Sequence, residues 1–180
     1  MHNNVAPQLT RTRLSYVIFG LNIVTLLGAT GGCGYSHEPL YPQDIRTVAV
    51  PILENRSFYR HVEGDVAEAL VKEIELRTPY KVVPNGEADT QIRATITRVG
   101  QSRMSRSRDG GLPQEMELII RASFQWQDLR SGKTLRQRSG MMATGRYVPT
   151  QPAAEPYQVA QHAAAQRLAQ KIVAVMGANW

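Results

Sequence analysis

Gln114-Glu115-Met116-Glu117-Leu118-Ile119-Ile120-Arg121-Ala122-Ser123-Phe124-Gln125-Trp126-Gln127 alternates along its whole length. Met116, Leu118, Ile120, Ala122, Phe124 and Trp126 fall on one side. Glu115, Glu117, Ile119, Arg121, Ser123 and Gln125 fall on the other. A period of two marks a strand with one face buried and one in water, the pattern of an antiparallel sheet. The next residues supply its partner. Asp128-Leu129-Arg130-Ser131-Gly132 reads as a hairpin loop, and Lys133 to Gly145 as the returning strand, with Leu135, Met141 and Ala143 on one face. Pairing Trp126 with Leu135 sets Ile120 opposite Met141 and Leu118 opposite Ala143, a consistent apolar face. The other face then brings Gln125 to Arg136, Ser123 to Arg138 and Glu115 to Arg146.

Upstream, Thr90 to Val99 alternates Ile92, Ala94 and Ile96 with Arg93, Thr95 and Thr97, a further strand. Gln101 to Pro113, rich in Ser, Arg and Gly, reads as a loop. Thr47 to Leu53 is β-rich, and Pro51 within it points to an edge or to the end of pairing. Glu54 to Ser57 reads as a turn. Val62, Val66, Leu70 and Ile74 recur every four residues, the stripe of an amphipathic helix spanning about Tyr59 to Arg77. Thr78-Pro79 stops it. Tyr80 to Val83 is a short strand before the Pro84-Asn85-Gly86 turn. After a proline-rich link, Tyr157 to Met176 carries Ala164, Ala165, Leu168, Ile172, Val175 and Met176 on one side of a second helix.

The element order is β-α-β-β-β-β-α. It predicts an α+β fold: a mixed or antiparallel sheet of about four to five strands with two helices packed on one face. The other face is left bare. Arg93, Arg121, Arg136 and Arg138 are expected on it, with Ile119 and Met142 among them. These arginines either bind a partner or keep an open sheet soluble and unpaired.

The chain begins with a polar stretch holding Arg11 and Arg13, followed by the apolar run Leu14 to Leu27. It then reaches Thr30-Gly31-Gly32-Cys33-Gly34. A basic patch, an apolar run and small residues before a cysteine form the pattern of a lipoprotein signal. The expected organisation is a signal peptide over 1–32, a lipidated tether over 33–44 and a folded domain over 45–180. Thr30 departs from the usual Leu at that position, and an uncleaved anchor over the same run is the alternative. Acylation at Cys33, by palmitate or a similar chain, would hold the domain on a membrane when two or more chains are attached. Gly34, rather than Asp, after the cysteine leans by analogy toward the outer membrane.

The formal net charge of the 180 residues is +6, and removing Arg11 and Arg13 with the leader leaves +4. Arginine outnumbers lysine, and its planar fork suits phosphate and carboxylate partners. Export excludes cytosolic nucleic acid as a natural partner. One cysteine permits no internal disulfide. His2, His37, His61 and His162 are scattered and no metal-ligand spacing occurs, so neither metal nor cofactor is expected. No nucleophile elbow or phosphate-cradling glycine loop is present. Glu115 and Glu117 share a strand face as acid/base pairs can, but they read as a solvated face, and no enzyme activity is expected.

Several stretches together resemble one family. They are Cys33-Gly34-Tyr35, Val48-Ala49-Val50-Pro51 running into Glu54-Asn55-Arg56-Ser57-Phe58, Glu115-Met116-Glu117-Leu118, Asp128 to Lys133, and the alanine-rich last helix. In this order they are similar to the LptE family of lipopolysaccharide-assembly lipoproteins, over nearly all of residues 33–180. The resemblance implies a sheet packed on two helices, tethered to the outer membrane and facing the periplasm. It implies lipopolysaccharide as ligand and the lumen of an LptD-type β-barrel as the docking place. Arg108-Asp109-Gly110 matches a basic-Asx-Gly turn associated with lipopolysaccharide contact. Arg103, Arg106, Arg108 and Arg146 are therefore the candidate lipopolysaccharide-binding residues, and Arg93, Arg121, Arg136 and Arg138 the candidate barrel-facing ones. The alternative is a periplasmic lipoprotein adaptor that activates a cell-wall synthase or forms part of a secretion channel.

Overall fold

The computed structural model describes residues 41–106, 113–149 and 155–177. Its elements are β1 (Thr47–Ala49), β2 (Glu54–Asn55), α1 (Val62–Arg77), β3 (Lys81–Val82), β4 (Thr90–Arg106), β5 (Pro113–Asp128), β6 (Thr134–Tyr147) and α2 (Tyr157–Met176). The strands form one mixed sheet in the order β3-β1-β4-β5-β6. β4, β5 and β6 are antiparallel neighbours, whereas β1 runs parallel to both β3 and β4. The expected α+β architecture is therefore what folds, with six strands. The additional strand is β2, in the stretch read as a turn. Pro51 has no N–H to donate, so pairing lapses after Ala49. It resumes higher on β4, with Glu54 beside Thr95 and Arg56 N–H donating to Ile96 O at 2.9 Å.

The alternating side of β5 that carries Leu118, Ile120, Ala122, Phe124 and Trp126 is buried. Both helices cover that face. In α1 the stripe Val62, Val66, Leu70 and Ile74 is buried as its spacing predicts. The helix starts at Val62 rather than Tyr59 because His61 adopts the left-handed conformation, φ 67°, which no helix can continue through. α2 has the bounds read from the sequence, and Ala160, Ala164, Ala165, Leu168 and Ile172 are buried along it. Its alanines let it lie close on the sheet. A Cβ added to Gly145 of β6 would come within 1.9 Å of Ala160 O. At the outer edge of β6, Lys171 Nζ donates to Met142 O at 2.6 Å and Arg167 Nη1 to Thr144 O.

The indole of Trp126 is wholly buried, and its N–H donates to Thr90 Oγ1 at 3.0 Å. Thr90 Oγ1 in turn donates to Thr47 O, tying β1 to β4. Tyr80 packs on Trp126 with ring centroids 5.6 Å apart. Tyr41, ahead of the expected domain start, meets Tyr80 edge-on at the same distance. Nearby, Asp89 accepts hydrogen bonds from the N–H groups of Arg46 and Thr47, from Thr47 Oγ1 and from Arg130. One carboxylate thus joins the entry to β1, the start of β4 and the β5–β6 turn.

Register is where reading and structure part. Gln127 pairs with Thr134, as the expected pairing requires. Trp126 then pairs with Arg136, Phe124 with Arg138, Ala122 with Met141 and Ile120 with Ala143. β6 therefore carries one extra residue near Leu135 and another near Ser139-Gly140, where Gly140 has φ 68°. Each is a β-bulge, which reverses the facing of the residues beyond it. The two reversals cancel, so Met141 and Ala143 reach the core as expected. Between the bulges facing is inverted, and Arg136 and Arg138 lie on the helix-bearing side.

Two outcomes follow for stability. Gly145→Ala forces a methyl group into the backbone of α2. It is expected to lower unfolding free energy by about 1–3 kcal/mol, the usual cost of overpacking, as measured by urea denaturation. The bonds from Arg46 and Thr47 depress the Asp89 pKa from 3.8 to about 2. A depressed carboxylate contributes stability above its unfolded pKa and loses it as pH falls through the folded one. Asp89→Asn should therefore lower the melting temperature at pH 7, and the difference from the parent should shrink between about pH 4 and pH 2.

Candidate functional site

The face of β4, β5 and β6 that carries no helix presents a field of polar and cationic side chains. Along one side of it, Glu54 accepts from Thr95 Oγ1 at 3.0 Å and pairs with Arg56 at 2.9 Å. Arg93 Nε donates to Gln91 Oε1 at 3.1 Å. Arg93, Thr95, Ser123, Gln125, Gln137 and Ser139 line one shallow hollow, the last two turned there by the inverted stretch of β6. Gln125 Nε2 donates to Thr134 Oγ1 at 2.7 Å and closes the turn end of the field. Farther along, Arg121 stands opposite Arg98 on β4 and Met142 on β6. Beyond it Ile119 faces Gly100 and Thr144, and Glu117 faces Ser102 and Arg146. Arg146 forms an ion pair with Glu115 at 3.5 Å, the partner expected for it.

The other candidates are placed as follows. β4 continues to Arg106 and β5 begins at Pro113, so Gln101 to Arg106, read as loop, is strand. The antiparallel ladder carries this hairpin past its expected end. Arg103 is exposed opposite Met116, one position from the Ser102–Glu117 pair, and so lies on the face opposite to Arg146. Arg106 is opposite Pro113. Arg108 and Cys33 lie outside the described residues. Of the four arginines expected on the open face, Arg93 and Arg121 are there. Arg136 and Arg138 are not, because the bulges in β6 turn them toward the helices. Arg136 is half-buried, donates from Nη1 to Leu135 O at 2.8 Å and acts on the Tyr80 phenol, whose pKa burial raises.

The family-model comparison matches residues 45–176 to LptE, lipopolysaccharide-assembly. The chain belongs to the LptE family. No curated protein matches it. Among solved structures this LptE-family chain is similar to a protein from Xanthomonas campestris, at 11% identity. That match covers 77% of this chain and 89% of the other, with a TM-score of 0.51. Lipoprotein B from Nitrosomonas europaea is 20% identical over 77% of this chain and 87% of its own, with a TM-score of 0.45. The PelC dodecamer from Paraburkholderia phytofirmans gives 12% identity, 78% and 94% coverage and a TM-score of 0.49.

Sequence reading of this LptE-family chain missed Arg98. Strict alternation after Ile92, Ala94 and Ile96 assigns it to the core. An irregularity between Ile96 and Arg98 shifts the register, so that Val99 is buried and Arg98 faces outward. The signal in the sequence was Val99 itself, an apolar residue one place out of phase. Among the described residues no cluster of His, Cys, Asp and Glu could hold a metal ion. Nor is any described helix long and apolar enough to cross a membrane.

The two arginine environments separate in a denaturation experiment. Arg136→Glu places a carboxylate against the buried Tyr80–Trp126 cluster and should cost about 1–3 kcal/mol. Arg121→Glu replaces a like-charge cross-strand pair by an opposite one. Its effect on unfolding free energy should stay within about 0.5 kcal/mol or be stabilising.

Proposed function

We propose that this chain is an outer-membrane lipoprotein, acylated at Cys33 and facing the periplasm. In this reading it binds lipopolysaccharide and plugs or assembles an LptD-type β-barrel. The observation that carries the reading is the match to the lipopolysaccharide-assembly family over residues 45–176. The one-sided sheet supports it. A domain whose helices cover one face leaves the other, with Arg93, Arg98 and Arg121 on it, to meet another surface. Arg103 and Arg106 lie in the last residues of β4, and Arg108 follows them in the sequence. In this reading they engage the phosphates of the glycolipid through guanidinium forks. The function is binding and placement, without catalysis.

The test is affinity purification of the full-length protein from detergent-solubilised membranes. A large β-barrel and lipopolysaccharide should co-elute, and mass spectrometry should find Cys33 acylated. Replacing Arg103, Arg106 and Arg108 together by Ala should retain the barrel and lower lipopolysaccharide affinity roughly ten- to a hundredfold, the effect of about 1–3 kcal/mol. Recovery of a cell-wall synthase or a homo-oligomeric ring in place of the barrel would overturn the reading.

A further inference from the structure

Arg98 of β4 stands directly opposite Arg121 of β5, on the face without helices, and both side chains are exposed. Directly opposed residues hold their Cβ atoms about 5 Å apart, and like charges at that separation are destabilising. Among the described residues neither guanidinium has an acidic partner. Other arginines in the molecule do: Arg56 has Glu54, Arg77 has Glu73, Arg130 has Asp89 and Arg146 has Glu115. Arg98 reaches this face only through the irregularity that follows Ile96. Backbone distortion has thus brought two cations together, where simple alternation would have kept them apart.

The space between them is shaped. Arg98, Arg121, Gly100, Ile119 and Gln101 line a cleft of about 240 Å³. A Cβ built on Gly100 meets nothing within 4 Å, so the cleft opens directly above the backbone. Met142, 42% exposed, lies opposite Arg121 and adds apolar surface beside Ile119.

We propose that Arg98 and Arg121 form a binding site for a phosphoryl group. Each guanidinium carries about five N–H donors in a planar fork. One carboxylate brings two oxygens and a single charge, too few to satisfy both forks. A phosphate monoester brings three terminal oxygens and nearly two charges. Ile119 and Met142 provide for an organic remainder next to the phosphate. The phosphate is either free or carried on a phosphorylated lipid. The lipid as natural source rests on the lipopolysaccharide reading above, whereas the chemistry of the cleft does not.

The experiment uses the full-length protein in detergent micelles and follows backbone amides by NMR. One arm adds inorganic pyrophosphate; the other adds diphosphorylated lipid A to the micelles. Saturable shifts at Gly100 and Ile119 are expected. Affinity should fall at least tenfold in the Arg98→Gln, Arg121→Gln double variant and by less in either single variant. Saturation by pyrophosphate alone identifies a free-phosphate site, and saturation only by lipid A identifies a lipid headgroup site; either supports the proposal. Without anion the double variant should melt no lower than the parent, because a repulsion has been removed, and pyrophosphate or lipid A should raise the melting temperature of the parent alone. The proposal is overturned if neither probe shifts these amides saturably, or if the double variant binds as tightly as the parent. Phosphoryl binding that persists in a protein recovered without any barrel would count against the function proposed above and leave this site standing.

Discussion

The β4–β5 ladder is the constraint on which the rest depends. It runs from Thr90 opposite Asp128 to Arg106 opposite Pro113; β1, β2 and β6 attach directly to one of its two members, and β3 joins through β1. β6 extends it by a tight turn, which antiparallel geometry allows. β1 joins β4 in parallel, so the chain must cross over before β4 begins, and α1 makes that crossing. Once the ladder is covered on one side only, the alternation of β5 decides the sorting. Trp126, Phe124, Ala122, Ile120 and Leu118 go under the helices, and the intervening residues go to water. The short parallel pieces β1, β2 and β3 then need little strength of their own. Their polar closure is concentrated at Thr47, Asp89 and Thr90, where side chains bond to backbone and to one another.

Much of this was legible because burial in a one-sided sheet leaves a periodic record. The β5 alternation, the four-residue stripe of α1 and the alanine-rich side of α2 each encode a buried face, and each element formed where its pattern lay. The inverted facing within β6 was illegible for a physical reason. A bulge adds a residue without changing composition, and two bulges on one strand restore the original phase. From Met141 onward β6 looks regular, so nothing in the apolar pattern betrays that Arg136 and Arg138 are inverted. Likewise β2 is two residues long, too short to show a period. The left-handed backbone of His61 leaves no mark on the apolar stripe that follows it.

The same irregularities re-sort the charges. In an unbroken sheet the open face would have held Arg136 and Arg138, and Arg98 would have been directed inward. The bulges of β6 withdraw the first two, and the shift after Ile96 delivers the third. The cationic density of the face therefore moves away from the β5–β6 turn and toward the middle of the β4–β5 ladder. It comes to rest between the hollow around Ser123 and the Glu115–Arg146 pair. Charge location here is a property of strand geometry as much as of composition, and counting arginines by parity misplaces it.

Lys171 and Arg167 of α2 reach around the rim of the sheet to the carbonyls of Met142 and Thr144. Those carbonyls belong to an edge strand, and left open they would invite another strand to pair. The helix that seals the hydrophobic core thus occupies the sticky border of β6 in the same docking event. Protection against fibril-like growth is not a separate device in this molecule. It arrives together with burial, so any change that loosens α2 uncovers apolar surface and a strand template at once, coupling loss of packing to risk of self-association.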